Sequence, residues 1–183
     1  MSEKKKSFKE FFLPIIVLVS VCVVIGSLMA AVNLITAPRI EEAQKQKVQE
    51  ALSAVVENNS GFESIELSEL PESVVGVYKD KGSERLAVIL SIKGYDSSKP
   101  MSVAVGFDEE GKILKCSVIS CLGETKGIGS KVSDADFLEQ FEGKSDVDDI
   151  DGISRATISS SAFKSGIADA CAMVRQYRAE VAK

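Results

Sequence analysis

The stretch VVGVYKDKGSERLAVILSIKGYDSSKPMSVAVGFDEEGKILKCSVIS, residues 74–120, decides the fold. It holds short apolar runs rich in Val and Ile at 74–79, 85–95, 101–107 and 112–120. Runs of this length and composition predict β-strands. The segments between them, DKGS, DSSKP and DEEG, carry the Gly, Pro, Asp and Ser that turns require. DEEGK between two apolar runs is a hairpin signal, so the strands assemble as an antiparallel meander.

Helices are expected on both sides. Residues 11–38 read FFLPIIVLVSVCVVIGSLMAAVNLITAP, without one charged side chain. A helix needs about 20 apolar residues to cross a hydrocarbon core of about 30 Å, and this run is long enough. A cleaved signal peptide is the alternative. Its apolar region runs only about 7–15 residues and ends in an A-x-A-like site. Met29 stands before Ala31 where a small residue is wanted, so an uncleaved anchor is expected. Lys4, Lys5, Lys6 and Lys9 precede the span densely, and Arg39, Lys45 and Lys47 follow it. Positive residues stay cytoplasmic, which puts the N-terminus inside and the rest of the chain outside. Cys22, Gly26 and Ala30 recur every fourth residue, a spacing that lets a partner helix approach closely. After Pro38, Val48, Ala51, Leu52 and Val55 mark an amphipathic helix that ends at Asn58–Gly61.

Beyond the strands, Ser133 and Asp136 form a capping-box pattern opening a short helix, with Phe137, Leu138 and Phe141 inward. A last helix is expected from about Ser159 to about Ala182, with Phe163, Ile167, Ala170, Val174, Tyr177 and Val181 as its buried stripe. The fold class is therefore α+β: one transmembrane helix, then a mainly antiparallel sheet with packed helices.

Composition removes several functions. The net charge of −5 argues against nucleic acid, whose phosphates need clustered Lys and Arg. The chain has no histidine, the usual metal ligand and general base. Cys22, Cys116, Cys121 and Cys171 form no C-x-x-C pair, and free thiols are expected. On one continuous strand, Cys116 and Cys121 would face opposite ways. Asp146, Asp148, Asp149 and Asp151 fail the calcium-loop pattern, because Ile150 and Thr157 fall where ligands belong.

Two segments remain that the fold does not need. ETKGIG, residues 124–129, is either a plain strand-to-helix loop or a place where backbone approaches a ligand. DGISRATISSSAF, residues 151–163, crowds hydroxyls at the start of the last helix. They are either a helix cap, with Ser159 a candidate, or a phosphate site on free N–H groups. The residues alone favour the cap.

Together the segments G-Y at 94–95, M-x-x-x-V-G at 101–106, E-T-x-G-I-G, F-x-x-Q-F at 137–141 and D-G-I-S-x-A-T-I-S-S resemble the FMN-binding domain. That domain is shared by the RnfG proteins of Rnf electron-transport complexes and by one component of the sodium-translocating NADH:quinone reductase. The short chain favours the Rnf family. The resemblance implies a phosphoester between FMN and Thr157. It further implies that Glu124, Thr125, Gly127, Ile128, Gly129, Lys131, Ser154 and Ala156 contribute to the cofactor site, with no catalytic acid or base. The family also implies ferredoxin oxidation linked to NAD reduction and ion translocation, with the other Rnf proteins, a flavin transferase and membrane lipid as partners. Three residues depart from its pattern: Arg155 replaces a glycine, Lys126 a proline, and Leu122 stands where a histidine is frequent. The expected organisation is a cytoplasmic tail over 1–10, a membrane helix over 11–38, an amphipathic helix and connector over 39–72, and the FMN-binding domain over 73–183. Two alternatives follow: an anchored flavoprotein of another membrane redox chain, or an apo assembly protein in which Arg155 has cost the flavin.

Overall fold

The computed structural model describes residues 2–67 and 70–181, with side chains from residue 12 onward. The side chains of Lys4, Lys5, Lys6 and Lys9, and Ala182 at the expected helix end, lie outside the described residues. The chain divides into two compact units, residues 1–45 and 46–183.

Helix α1 is Ser2–Val55, with Pro14 and Pro38 inside it. It is long and apolar enough to cross a membrane. Its apolar side chains from Phe12 to Ile40 are exposed in the protein alone, as an apolar solvent would require.

In the second unit, five strands form one sheet in the order β1-β2-β3-β4-β5, every neighbour antiparallel. They are β1 Phe62–Ile65, β2 Val74–Asp80, β3 Leu86–Ile92, β4 Met101–Phe107 and β5 Ile113–Ser120. Four fall where the apolar runs predict them. The fifth, β1, is outside those runs. Its FESI is a four-residue edge strand with an exposed middle, too short to show a period.

Both faces of the sheet are covered, which is why β3 and β4 are nearly continuous apolar runs. Val88, Leu90, Val103 and Val105 belong to the larger cluster with Phe163, Ile167, Ala170 and Val174 of helix α3, Thr157–Val181. Ala87, Ile89 and Ala104 point the other way, onto Ala51, Leu52 and Val55 of the last turns of α1. Gly106 marks the closest approach there: a Cβ on it would stand 2.2 Å from the Val55 carbonyl oxygen.

Several expectations need correction. Helix α3 starts at Thr157, two residues before Ser159. Val181 is 64% exposed, so the buried stripe ends earlier, with Tyr177 half-buried. The capping box at Ser133 does not form: the Ser133 hydroxyl donates to the Ser130 carbonyl at 2.7 Å. Asp134 precedes the short helix α2, Ala135–Leu138, and its side chain makes no cap bond. Phe137 and Phe141 are buried as expected, edge to face with ring centroids 5.4 Å apart, and Phe163 of α3 packs on both. Cys116 and Cys121 do not diverge; both meet the same core cluster. The register shifts where Ser102 and Val103 pair with Ser120 and Val118, and a bulge resets the alternation of faces between the two cysteines.

Candidate functional site

The two segments singled out by sequence meet at the end of the sheet where β5 hands over to the loop. Glu124 is the meeting point. It is 8% exposed, and it is one of four buried polar or charged residues among those described. Oε1 accepts the Tyr95 N–H at 3.0 Å, and Oε2 accepts the Ser159 hydroxyl. The carboxylate therefore ties the β3–β4 connection to the first turn of α3.

The loop after Glu124 folds on itself. The Thr125 carbonyl accepts the N–H groups of Ile128 and Ser130, each at 3.1 Å. Gly127 takes φ +74° and gives its N–H to the Ser130 hydroxyl at 2.9 Å. That backbone angle is the reason for a glycine, since a Cβ there would meet nothing within 4 Å. Thr125, Lys126, Gly127 and Ile128 are exposed, and Gly129 turns inward against Glu124 and Ser159. Lys131 is exposed on the 3-10 turn Gly129–Ser133.

The hydroxyl-rich segment sorts itself by partner. Ser159 is buried and taken up by Glu124, so it does not cap the helix. Ser160 donates back to the Ala156 carbonyl at 3.0 Å. Ala156 itself, the residue before the helix, has no side-chain oxygen with which to cap. Thr157, by contrast, is exposed, and its hydroxyl has no partner among the described residues. It stands in the first turn of a 25-residue helix, where backbone N–H groups lack helical acceptors and the macrodipole is positive. Ser154 is exposed in the turn before it.

Arg155 occupies that turn with φ +67°, one of two non-glycine residues in the left-handed region among those described. A side chain there is strained by roughly 1–2 kcal/mol. The departure noted in the sequence thus has a physical meaning. The position asks for glycine, and arginine adopts the glycine conformation without unmaking the turn.

Sequence reasoning brought Glu124, Gly129 and Thr157 into one site and missed Gly94, Tyr95 and Ser159 as partners of Glu124. It named Ile128 for the site and noted Leu122 only as a departure, without weighing the exposed apolar side chains together. Tyr95, Leu122, Ile128 and Ile158 are 66%, 85%, 41% and 60% exposed; Tyr95 gives its N–H to Glu124, Leu122 stands two residues before it, and Ile128 and Ile158 adjoin Gly129 and Ser159, which pack on it.

Comparison with known proteins covers both segments of this region and the apolar helix. The family model of the FMN-binding domain matches residues 94–172, from Gly94 through the loop and into α3. The model of the RnfG N-terminal region matches residues 16–55, on α1. The chain is 28% identical over 174 residues to the G component of the proton-translocating ferredoxin:NAD(+) oxidoreductase complex of Clostridium ljungdahlii, a match covering 85% of this chain and 87% of that protein. Two separate family matches in the same chain order, on an apolar helix and on the domain built around Glu124 and Thr157, place this chain in the RnfG family of Rnf electron-transport complexes.

Proposed function

We propose that this protein carries FMN as a phosphoester on Thr157 and relays electrons in a membrane complex that links ferredoxin oxidation to NAD reduction and ion transport. The observation that carries the covalent link is the openness of the site. Pockets that hold a free ligand bury most of its surface. Here Thr157, Thr125, Lys126, Gly127 and Ile128 all lie on the surface, and a bond to the chain supplies what enclosure does not. An exposed hydroxyl is also what a modifying transferase needs.

The residues fit the group. The first turn of α3 offers N–H donors and a positive dipole end to a phosphate on Thr157. The loop 125–129 presents backbone beside it, and Tyr95, Leu122, Ile128 and Ile158 offer apolar surface to a flat ring. When bound, FMN supplies the redox chemistry, joining two-electron to one-electron carriers. The chain holds and orients it. The soluble unit lies outside the cytoplasm in this reading, where a dissociated flavin would be lost.

Intact mass and in-gel fluorescence of full-length protein made with a flavin transferase test the proposal. The expected gain is the mass of FMN less one water, with fluorescence that survives denaturation. Thr157→Ala abolishes both. An unmodified wild-type chain under these conditions overturns the covalent reading and favours an apo assembly role.

A further inference from the structure

Glu124 belongs to the segment that the family resemblance assigns to the flavin, yet its carboxylate faces inward. Both oxygens are committed, one to the Tyr95 N–H and one to the Ser159 hydroxyl. No ion pair among the described residues includes it. Taking a charge out of water is costly, and a buried carboxylate without a cation needs donors and a reason to be there. Its donors come from two segments far apart in sequence, and the positive end of α3 lies at Ser159.

The glycines around it point to the same conclusion. A Cβ on Gly94 would stand 1.9 Å from Glu124 Oε1, and one on Gly129 would stand 2.6 Å from Oε2 and 2.7 Å from the Ser159 hydroxyl oxygen. Neither glycine has a positive φ, so backbone freedom does not explain them. They are small because the carboxylate occupies the space a side chain would take.

We propose that Glu124 is a positioning residue, which pins the first turn of α3 to the β3–β4 connection and to the GIG loop, and so sets Thr157 relative to the loop that flanks it. Its role rests on the reading of Thr157 as the modified residue. It acts through Ser159 and the backbone, not by touching the flavin.

The test uses full-length protein with its transferase and three variants: Glu124→Ala, Gly94→Ala and the double variant. Misplacement by about 1 Å lowers rates roughly a hundredfold. The initial rate of mass gain at Thr157 is therefore expected to fall at least about tenfold in Glu124→Ala. Gly94→Ala, which must evict the carboxylate, gives the same loss. The double variant is no worse than Glu124→Ala, since the nearest atom outside Glu124 is the flexible end of Met101, 3.0 Å from the new methyl. Hydrogen exchange on protein made without transferase gives a readout free of flavin: the Tyr95 amide and the first-turn amides of α3 exchange faster in all three variants. Wild-type rates of modification in Glu124→Ala, or losses that add in the double variant, overturn the proposal. Where Glu124→Ala does not fold, exchange in Gly94→Ala decides: unchanged protection at Tyr95 rejects the pin. A wild-type chain that takes no flavin defeats the Thr157 reading, while the exchange experiment still judges Glu124.

Discussion

Single residues carry the strain and the charge of this domain. Arg155 holds φ +67° at a position where the family motif has glycine. Arg155→Gly relieves that strain but loosens the unfolded chain by roughly 0.5–1 kcal/mol. The balance is a gain of about 0–1.5 kcal/mol, read as a higher unfolding midpoint, with Thr157 modification unchanged or raised. A lower midpoint would show that the arginine side chain makes contacts outweighing its backbone. Asp80 is the buried carboxylate at the end of β2. Burial pushes its pKa up, but the Ser83 hydroxyl, the Ser60 and Gly82 N–H groups and the Arg85 guanidinium outweigh burial and hold it below the ordinary value. A depressed pKa adds stability above the unfolded carboxyl's value of about 4, and that stability is lost as pH falls through the folded value. Unfolding midpoints taken from pH 7 to pH 3 should fall more steeply in the wild type than in Asp80→Asn. At neutral pH the variant is weaker by roughly 1–3 kcal/mol. Parallel curves would rule this out. The motif residues were legible in the sequence as a set. The partners of Glu124 were not, because they lie 29 and 35 residues away and only the fold brings them together.

Among the strands and helices, β2 to β5 showed themselves because each is an apolar run between turn formers, and α3 because its stripe keeps a helical period. The missed features are those that depend on a neighbour. Edge strand β1 is held by pairing Phe62 with Asp80 and Ile65 with Val77, which a four-residue pattern cannot announce. The expected cap at Ser133 lost its hydroxyl to a nearer carbonyl, the competition that makes serine ambiguous at helix ends. Helix α3 is also fastened by cations to loop carbonyls: Lys164 to Ile150 at 2.5 Å, Arg175 to Ser145, and Arg178 to Glu84, Asp108 and Glu109. The contact of α1 with β4 is open to direct test. Gly106→Ala would drive a methyl against the Val55 backbone, which cannot swing aside as a side chain could. A loss of about 1–3 kcal/mol is expected, with faster amide exchange confined to the last turn of α1. Unchanged exchange there would mean that the strand, not the helix, yields.

The protein as a unit combines an apolar helix with a domain whose candidate site lies on its surface. The lysines at 4, 5, 6 and 9 predict that a reporter active only outside the cytoplasm works when fused after Lys183, and that a cytoplasmic reporter there is silent. The reverse result would invert the assigned orientation. The sheet's second face is closed by Ala51, Leu52 and Val55, and these belong to the helix that contains the apolar run. Synthesis proceeds from the N-terminus, so this cover leaves the ribosome before any strand it must meet. The apolar helix, engaged by a bilayer early, would hold the cover at a fixed address while Ala87, Ile89 and Ala104 are still being made. If Thr157 carries the flavin as proposed, maturation is ordered in time: insertion first, closure of the sheet on the waiting helix next, and modification of Thr157 last, once α3 exists to display it.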